Sequence, residues 1–502
     1  MKGIYMVNHP LSTLLLLPVF GIIIILFINK EKPLIVRTIA AIIVGLQIWI
    51  TIQLLIAFDR STYTLQFVDH FSWINAFSID YILGIDGINL PFIALATLIL
   101  FITILISWKQ DDNPKTFFTL ILLFDLGIIG LFLAFDLFLF ISFLGVLLST
   151  TFFLISLFTP ETDIRPALHF GFYAIISFCF ILIGTLIISS KTDPSTFNII
   201  HLFQNPDLPE NHQTTGFFMF LIGFLFITPV VPFHAWFVNS VNKTSLPVKV
   251  LLTALFSKIG LFGILRLVMP IFPIPSQQFI MILGLIAVIS ILYFSICAFS
   301  YTSFGSIITY YTGFQIGIAL LGISSIYALR TNMTTIAVTG VNGAIAQLIS
   351  SGLALPLLLL LPNVLQMRNN NKRNSSDQQR WIFSFIIALI LLTAAGVPGF
   401  FTFFAQLLCF LGAFQILATR ILVFISLIGV IIIAITFFKI IQNILLKNSD
   451  LDIAFYNFQS GNTMLIVISL LIIIIFLGIN PNPFIGIINQ SVHHLIDIVN
   501  SI

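Results

Sequence analysis

The sequence predicts an all-α membrane protein of about fourteen transmembrane helices, with two inverted five-helix repeats and two broken helices. Three observations support this fold class. Of the 502 residues, 59% are hydrophobic and only 8% are charged, whereas soluble domains carry about 25% charged residues. Apolar runs of about 20 residues, which is the length that crosses a bilayer, recur along the chain. Two of these runs are interrupted by proline or glycine, five helices apart.

Each apolar run is expected to be helical, because lipid offers no partner to a free backbone N–H or C=O group. In order, the runs are Leu11–Ile28, Ile35–Phe58, Leu90–Trp108, Phe117–Phe135, Leu137–Phe158, Pro166–Ser189, Gly216–Phe237, Pro247–Val268, Phe279–Phe299, Gly305–Ile326, Ile336–Leu361, Trp381–Phe414, Ile421–Leu445 and Met464–Ile487. The twelfth run is too long for one straight span.

The lysines and arginines between the runs test this count, since loops on the inner face of a membrane are enriched in them. Loops after odd-numbered helices hold twelve: Lys30, Lys32, Lys109, Lys115, Arg165, Lys243, Lys249, Arg368, Lys372, Arg373, Arg380 and Lys447. The opposite face holds six: Lys2, Arg60, Lys191, Arg266, Arg330 and Arg420. This asymmetry predicts that both termini lie on the outer face.

The seventh run contains Pro229 and Pro232, and the twelfth contains Gly396, Pro398 and Gly399. Proline removes a backbone donor and clashes with the preceding turn. Paired breaks in corresponding halves are typical of inverted-repeat transporters, although a proline can also simply kink its helix. We therefore assign helices four to eight and nine to thirteen to the two repeats. The predicted domains are 1–115 (helices one to three and an outer-face loop), 116–270 (first repeat), 271–446 (second repeat) and 447–502 (C-terminal helix and tail).

Few ionisable residues fall inside the runs. A charge at the bilayer centre costs at least about 2.5 kcal/mol, so each one needs a reason. Lys258 is central in helix eight, Asp125 is central in helix four, and His234 follows the break in helix seven. A lysine removed from water exchanges its proton readily, and histidine can pass protons. The alternatives are a structural ion pair for Lys258 or Asp125 and a hydrogen-bonded structural role for His234.

Signals for chemistry within the chain are absent from the sequence. We find no dinucleotide fingerprint, phosphate loop or cluster of metal ligands, and the three cysteines form no spaced pair. The net charge of +3 is too small to indicate a nucleic-acid partner. No metal site is therefore predicted, and any cofactor is expected in other proteins.

Several segments resemble the chain 4 family of antiporter-like subunits of NADH:ubiquinone oxidoreductase, respiratory complex I. Pro232-Phe233-His234-Ala235-Trp236, Leu255-Phe256-Ser257-Lys258-Ile259-Gly260 and Gly263-Ile264-Leu265-Arg266 are similar to family motifs. Further matches, in family order, are Gly84-Ile85-Asp86-Gly87-Ile88-Asn89-Leu90, Asp125-Leu126-Gly127-Ile128-Ile129-Gly130, Gly343-Ala344-Ile345-Ala346-Gln347-Leu348-Ile349-Ser350 and Gly396-Val397-Pro398-Gly399. Antiporter subunits of cation/proton exchangers share this pattern.

The resemblance implies a proton channel with a lysine in helix seven, a lysine in helix eight, a lysine or glutamate in helix twelve and a glutamate in helix five. Lys258 matches the helix-eight lysine, and Asp125 matches an acid of helix four. Together with His234, they are the residues predicted to remain of a proton path. The other family positions are substituted here: Gly145 for the helix-five glutamate, Ile227 for the helix-seven lysine, Gln406 for the helix-twelve glutamate, and Gln315 and Ser351 where histidine is frequent. The chain's three glutamates, Glu31, Glu161 and Glu210, all fall in predicted loops, so shifting the alignment within a helix restores no glutamate.

The resemblance therefore implies a membrane-arm subunit that couples electron transfer from NADH to quinone with proton translocation and carries out no redox chemistry itself. The substitutions predict that its own proton path is weakened or absent. NADH, FMN, iron–sulfur clusters and ubiquinone would bind to partner subunits, and other membrane-arm subunits and lipids would surround the chain. A purely structural scaffold of that complex and a stand-alone cation/proton antiporter remain alternatives.

Residue usage bears on location. Phe, Ile and Asn are frequent, and their codons are rich in A and T, as in many organellar genomes. Together with the family, this favours the mitochondrial inner membrane, with a bacterial or plastid energy-transducing membrane as the alternative.

Overall fold

A computed structural model describes residues 9–110, 112–159, 163–190, 196–204, 210–370, 377–444 and 463–500. The first helices are α1 (Pro10–Phe27), α2 (Pro33–Ala57), α3 (Asn89–Ile106), α4 (Pro114–Leu133), α5 (Leu137–Leu157), α6 (Arg165–Ser189), α7 (Ile199–Gln204), α8 (Glu210–Ile227), α9 (Ala235–Lys243), α10 (Leu246–Ala254), α11 (Ile259–Gly263) and α12 (Met269–Ile271). They are followed by α13 (Pro273–Ser300), α14 (Phe304–Ile323), α15 (Thr334–Asn370), α16 (Asp377–Ala395), α17 (Phe401–Phe414), α18 (Leu417–Gln442), α19 (Thr463–Ile479) and α20 (Asn482–Asn500).

Eleven helical segments of the described chain are long and apolar enough to cross a membrane. The pair α19 and α20 would add a twelfth if it forms a single span. The predicted seventh run corresponds to α8 and α9, and the predicted twelfth run corresponds to α16 and α17. The chain is thus an all-α, multi-pass membrane protein, as predicted. The count of fourteen and the inverted repeats stay predictions.

Both predicted helix breaks are present. Between α8 and α9 the backbone N–H of Val231 donates to Ser290 Oγ of α13 over 3.0 Å, so a side chain satisfies a donor that the break releases. Between α16 and α17, Gly396 and Gly399 have φ angles of 71° and 101°, which L-residues with a Cβ rarely adopt.

Helix eight differs from the prediction, because it is not one regular helix. It is divided into α10, a 3₁₀ turn at Phe256–Lys258, α11, a π-helical turn at Ile264–Val268 and α12. Ser257 Oγ and Lys258 Nζ both donate to the Thr253 carbonyl, over 2.7 and 2.5 Å. These side-chain hydrogen bonds compete with the regular helical hydrogen bond at that carbonyl. The 3₁₀ turn itself contains no proline or glycine that would have predicted it.

The predicted outer-face loop contains an antiparallel hairpin of β1 (Gln66–Ile74) and β2 (Ile79–Ile85). Asp86 follows β2 and caps α3, since its Oδ1 accepts from the backbone N–H groups of Ile88 and Asn89, both over 3.0 Å. The C-terminal residues, predicted to be a tail, form the amphipathic helix α20.

The chain forms two compact units. Unit 1 comprises Met1–Ile227, Ile259–Gln278 and Gly486–Ile502, and unit 2 comprises Thr228–Lys258 and Phe279–Ile485. The predicted domain boundaries group the residues differently and stay a prediction.

Candidate functional site

Three glutamines form a hydrogen-bonded cluster inside unit 2. Gln315 of α14 accepts on Oε1 from Gln347 Nε2 of α15 and from Gln406 Nε2 of α17, the latter over 3.3 Å. Gln315 Nε2 donates to the Tyr311 hydroxyl one turn earlier. All four side chains are buried. We call these four residues the glutamine cluster.

The glutamine cluster is neutral. An amide neither gains nor loses a proton in water near neutral pH, and a tyrosine hydroxyl normally does so only near pH 10. The family resemblance leads us to expect titratable side chains at positions 315 and 406. Both positions are instead glutamines, Gln315 and Gln406, whose amides hydrogen-bond to each other. The cluster can orient water, but it provides no carboxylate or imidazole for a proton relay.

The remaining substituted positions make no hydrogen bond to the glutamine cluster in the described part of the chain. Ser351 is buried and donates within its own helix to the Leu348 carbonyl. Ile227 is a buried apolar residue at the end of α8. A Cβ on Gly145 would lie 3.3 Å from the Phe178 ring, so a glutamate there would displace that ring. Glu210 begins α8, and Glu161 lies outside the described residues.

Lys258 is 1% exposed and lies in the 3₁₀ turn after α10. Its Nζ donates to the Thr253 carbonyl and to Ser257 Oγ, over 2.5 and 3.1 Å. Among the described residues, no carboxylate lies within ion-pair distance of it. A structural ion pair, the alternative considered for this lysine, is therefore not present in that part of the chain.

His234 lies beside the break between α8 and α9. Its Nε2 is 3.1 Å from the Tyr293 hydroxyl of α13, and the two ring centroids are 4.7 Å apart. The Nδ1 atom is buried without a hydrogen-bond partner in the described chain. The contact holds the broken segment against α13, and a proton-passing role for His234 stays a prediction.

Unit 1 contains a buried ion pair. Arg266 Nη1 donates to Asp86 Oδ2 over 2.5 Å, with the two side chains 5% and 8% exposed. The guanidinium carbon also lies 4.0 Å from the centroid of the Phe135 ring. The sequence shows Arg266 only as one of the outer-face cations and as part of a family motif, whereas the structure pairs it with Asp86, the acid that caps α3.

A cavity of about 240 Å³ lies beside this ion pair. Tyr63, Phe135, Ser491 and His494 contribute to its wall. The His494 ring stacks on Tyr63, with centroids 4.2 Å apart and planes at 13°. Burial lowers the pKa of His494 below its ordinary value, with the nearby Arg266 acting in the same direction and Asp497 and Asp86 opposing it.

Asp125 is fully buried in α4, and its Oδ1 accepts from Gln47 Nε2 of α2 over 3.3 Å. Gln47, Gln347 and Tyr311 were not predicted as site residues. The signal was available, because an amide or phenol inside an apolar helix needs a buried partner. In the described chain, no group of three or more His, Cys, Asp or Glu side chains is placed to hold a metal ion.

Comparison with known proteins identifies the family of the chain. The profile of the family described as NADH:quinone oxidoreductase/Mrp antiporter, TM, matches residues 134–436. The chain is 26% identical to NADH-quinone oxidoreductase subunit M of Rickettsia conorii, over 97% of this chain and 98% of that protein. It is 28% identical to NADH-ubiquinone oxidoreductase chain 4 of Chondrus crispus, over 98% of each chain.

The fold is also found among solved structures. A chain of respiratory complex I from Thermus thermophilus with bound NADH superimposes with a TM-score of 0.80 and 22% identity, covering 97% of this chain and 99% of that chain. The family match spans more than half of the sequence, and it includes both helix breaks, Lys258 and the glutamine cluster. The chain therefore belongs to the NADH:quinone oxidoreductase/Mrp antiporter family of transmembrane proteins.

Proposed function

We propose that this chain is a membrane-arm subunit of an NADH:ubiquinone oxidoreductase and that its own proton path is interrupted. The complex couples electron transfer from NADH to quinone with proton translocation. The chain contributes transmembrane structure to that process and performs no redox step. NADH, FMN, iron–sulfur clusters and ubiquinone bind to partner subunits, and the membrane is the mitochondrial inner membrane.

The glutamine cluster is the observation that supports an interrupted path. Proton transfer along a channel needs groups that take up and release protons, linked by water or hydrogen bonds. Gln347 and Gln406 both donate to Gln315 Oε1, and none of the three glutamines titrates. Lys258 and His234 are the titratable side chains that the family motifs retain in this unit. Lys258 hydrogen-bonds to Thr253 and Ser257, and His234 hydrogen-bonds to Tyr293.

The subunit assignment is tested by purification. An affinity tag on this chain should recover flavin- and iron–sulfur-containing subunits, together with NADH:quinone oxidoreductase activity, from detergent-solubilised membranes. Recovery of the chain alone, with cation/proton exchange after reconstitution into vesicles, would instead support the stand-alone antiporter.

The interrupted path is tested by counting protons. In the assembled complex, Lys258→Met should leave the number of protons translocated per NADH unchanged, because no continuous relay passes through Lys258. Ser257→Ala is a matched variant, since it removes one hydrogen-bond acceptor of Lys258 and keeps the lysine. A lower stoichiometry in Lys258→Met than in Ser257→Ala, at equal assembly, would show that this unit conducts protons.

A further inference from the structure

Asp125 and Gln47 form an isolated polar pair in the middle of unit 1. Asp125 lies in the centre of α4, and Gln47 lies beyond the midpoint of α2. Gln47 Nε2 donates to Asp125 Oδ1 over 3.3 Å and to the Leu14 carbonyl of α1 over 3.1 Å. Both hydrogens of the Gln47 amide are thereby used.

Two oxygen atoms of this pair have no partner. Asp125 Oδ2 and Gln47 Oε1 are both buried and make no hydrogen bond within the described chain. No Lys, Arg or His of that part lies within ion-pair distance of Asp125. An ionised carboxylate only accepts hydrogen bonds. If Asp125 were charged, both Asp125 Oδ2 and Gln47 Oε1 would therefore remain buried acceptors without a donor.

The surroundings leave little room for water to satisfy them. One turn away from the pair, a Cβ on Gly21 of α1 would lie 2.9 Å from Leu122 Cδ1 and 3.0 Å from Ile43 Cγ1. Leu122 precedes Asp125 by three residues, and Ile43 precedes Gln47 by four, so these two residues lie on the same helix faces as the pair. The three helices are thus in close contact around it.

A single proton on Asp125 removes the conflict. We propose that Asp125 is held as a neutral carboxylic acid that forms a cyclic carboxyl–carboxamide pair with Gln47. In this pair Asp125 donates from Oδ2 to Gln47 Oε1, while Asp125 Oδ1 accepts from Gln47 Nε2. Both unpartnered oxygens are then satisfied by each other, and α4 is joined to α2 and, through Gln47, to α1. The proton is retained as part of the packing and is not passed along a relay.

This assignment goes beyond the proposed function and stands on unit 1 alone. It holds whether or not unit 2 conducts protons, and the tests of the two proposals are separate. It also gives the acid of helix four a role different from the one that the sequence comparison suggested for it.

Two matched variants test the pair in the assembled complex. Asp125→Asn keeps one acceptor and gains a permanent donor towards Gln47 Oε1, so it mimics the neutral acid. Asp125→Leu is similar in size and removes both hydrogen bonds. We expect Asp125→Asn to assemble as well as the wild type. Asp125→Leu should lower the ratio of folded to unfolded subunit roughly tenfold or more, because Gln47 Oε1 and one Gln47 N–H are then buried without a partner.

An infrared measurement reads the proton directly. The difference spectrum of wild-type complex minus Asp125→Asn should contain the C=O stretching band of a protonated carboxylic acid. That band should shift in D₂O and persist as the pH is raised over the range in which the complex is active. A carboxylate band in its place, or loss of the acid band within that range, would overturn the proposal.

The wild-type complex supplies a second measurement if the Asn variant does not assemble. In a high-resolution structure, Gln47 Oε1 and Asp125 Oδ2 should be separated by a hydrogen-bond distance, about 2.5–3.0 Å. A separation beyond hydrogen-bond range, or a water molecule or cation bound between these atoms, would contradict the cyclic pair.

Discussion

Arg266 and Asp86 are joined over 2.5 Å although 180 residues separate them in the chain. The contact links the π-helical turn of helix eight to the residue that follows the hairpin and caps α3. Because both side chains are buried, the pair is shielded from the water that weakens surface ion pairs.

Replacing one partner of this ion pair should destabilise unit 1 strongly. We expect Asp86→Leu or Arg266→Met to lower the free energy of unfolding by about 3–5 kcal/mol. The first leaves the Arg266 guanidinium buried without its ion-pair partner, and the second leaves the Asp86 carboxylate buried without its partner. Thermal unfolding of the purified complex measures the loss. The double variant Asp86→Leu/Arg266→Met should recover part of it, and additive losses in the double-mutant cycle would show that the two residues do not act as a pair.

The break between α16 and α17 should require glycine at position 399. Gly399 has a φ angle of 101°, and a Cβ there would meet no atom within 4 Å. Gly399→Ala should therefore cost about 1–3 kcal/mol through backbone strain alone. Gly305→Ala is the control, since its added Cβ also meets nothing and its helical backbone should make the change neutral or stabilising by up to about 1 kcal/mol. Equal stabilities of the two variants would be inconsistent with strain at the break.

The glutamine cluster should depend on Gln315, since this residue bonds to the other three members. Gln315→Leu leaves the Gln347 and Gln406 amides and the Tyr311 hydroxyl short of a partner. Each unsatisfied buried group costs about 1–3 kcal/mol, so we expect a marked fall in the melting temperature of the complex. Ser351→Ala, which removes a hydrogen bond within one helix, should change it little. Similar effects of the two substitutions would argue against a shared network.

The docking of α20 in unit 1 should weaken at low pH. Burial lowers the pKa of His494, so the docked helix takes up a proton less readily than the undocked helix, whose histidine titrates near 6.5. The docked state of α20 is therefore most stable above about pH 6.5. It loses stability as the pH falls from there towards the lower pKa of His494 in the docked state. Hydrogen exchange of residues 482–500 should therefore increase on acidification in the wild type.

The matched control is His494→Phe, which keeps a ring against Tyr63 and cannot titrate. Comparing the two proteins at each pH removes the intrinsic pH dependence of exchange. Parallel exchange profiles for wild type and variant would exclude His494 as the source of the effect.

The fold was predictable from sequence because lipid imposes a simple rule on the backbone. Apolar length predicted the spans, and proline and glycine predicted both breaks, at Pro229–Pro232 and Gly396–Gly399. The 3₁₀ turn within helix eight was not predictable, since Ser257 and Lys258 both bond to the Thr253 carbonyl there and no proline or glycine lies in the turn. The hairpin was also missed, because its exposed aromatic and polar residues show no strict alternation.

The site was predictable in part. Lys258, Asp125 and the substituted positions Gln315 and Gln406 followed from the family motifs. The hydrogen-bond partners Gln47, Gln347 and Tyr311 were not predicted. They carry no charge, and Gln47 and Gln347 are distant in sequence from Asp125 and Gln315, to which they bond. The pairing of Arg266 with Asp86 likewise depends on a long-range contact that no local pattern encodes.

The contact between the hairpin connection and α20 has a consequence for biogenesis. Gly87 N–H donates to Ser491 Oγ over 2.8 Å across 404 residues, and a Cβ at Gly87 would lie 2.1 Å from the Ile487 carbonyl oxygen. During translation, helices α1 to α19 are synthesised before Ser491, so Gly87 meets this partner only after 404 further residues have been made. A chain truncated after Ile479 keeps α1 to α19 and lacks α20, so we expect its backbone at Gly87 to be accessible to proteases.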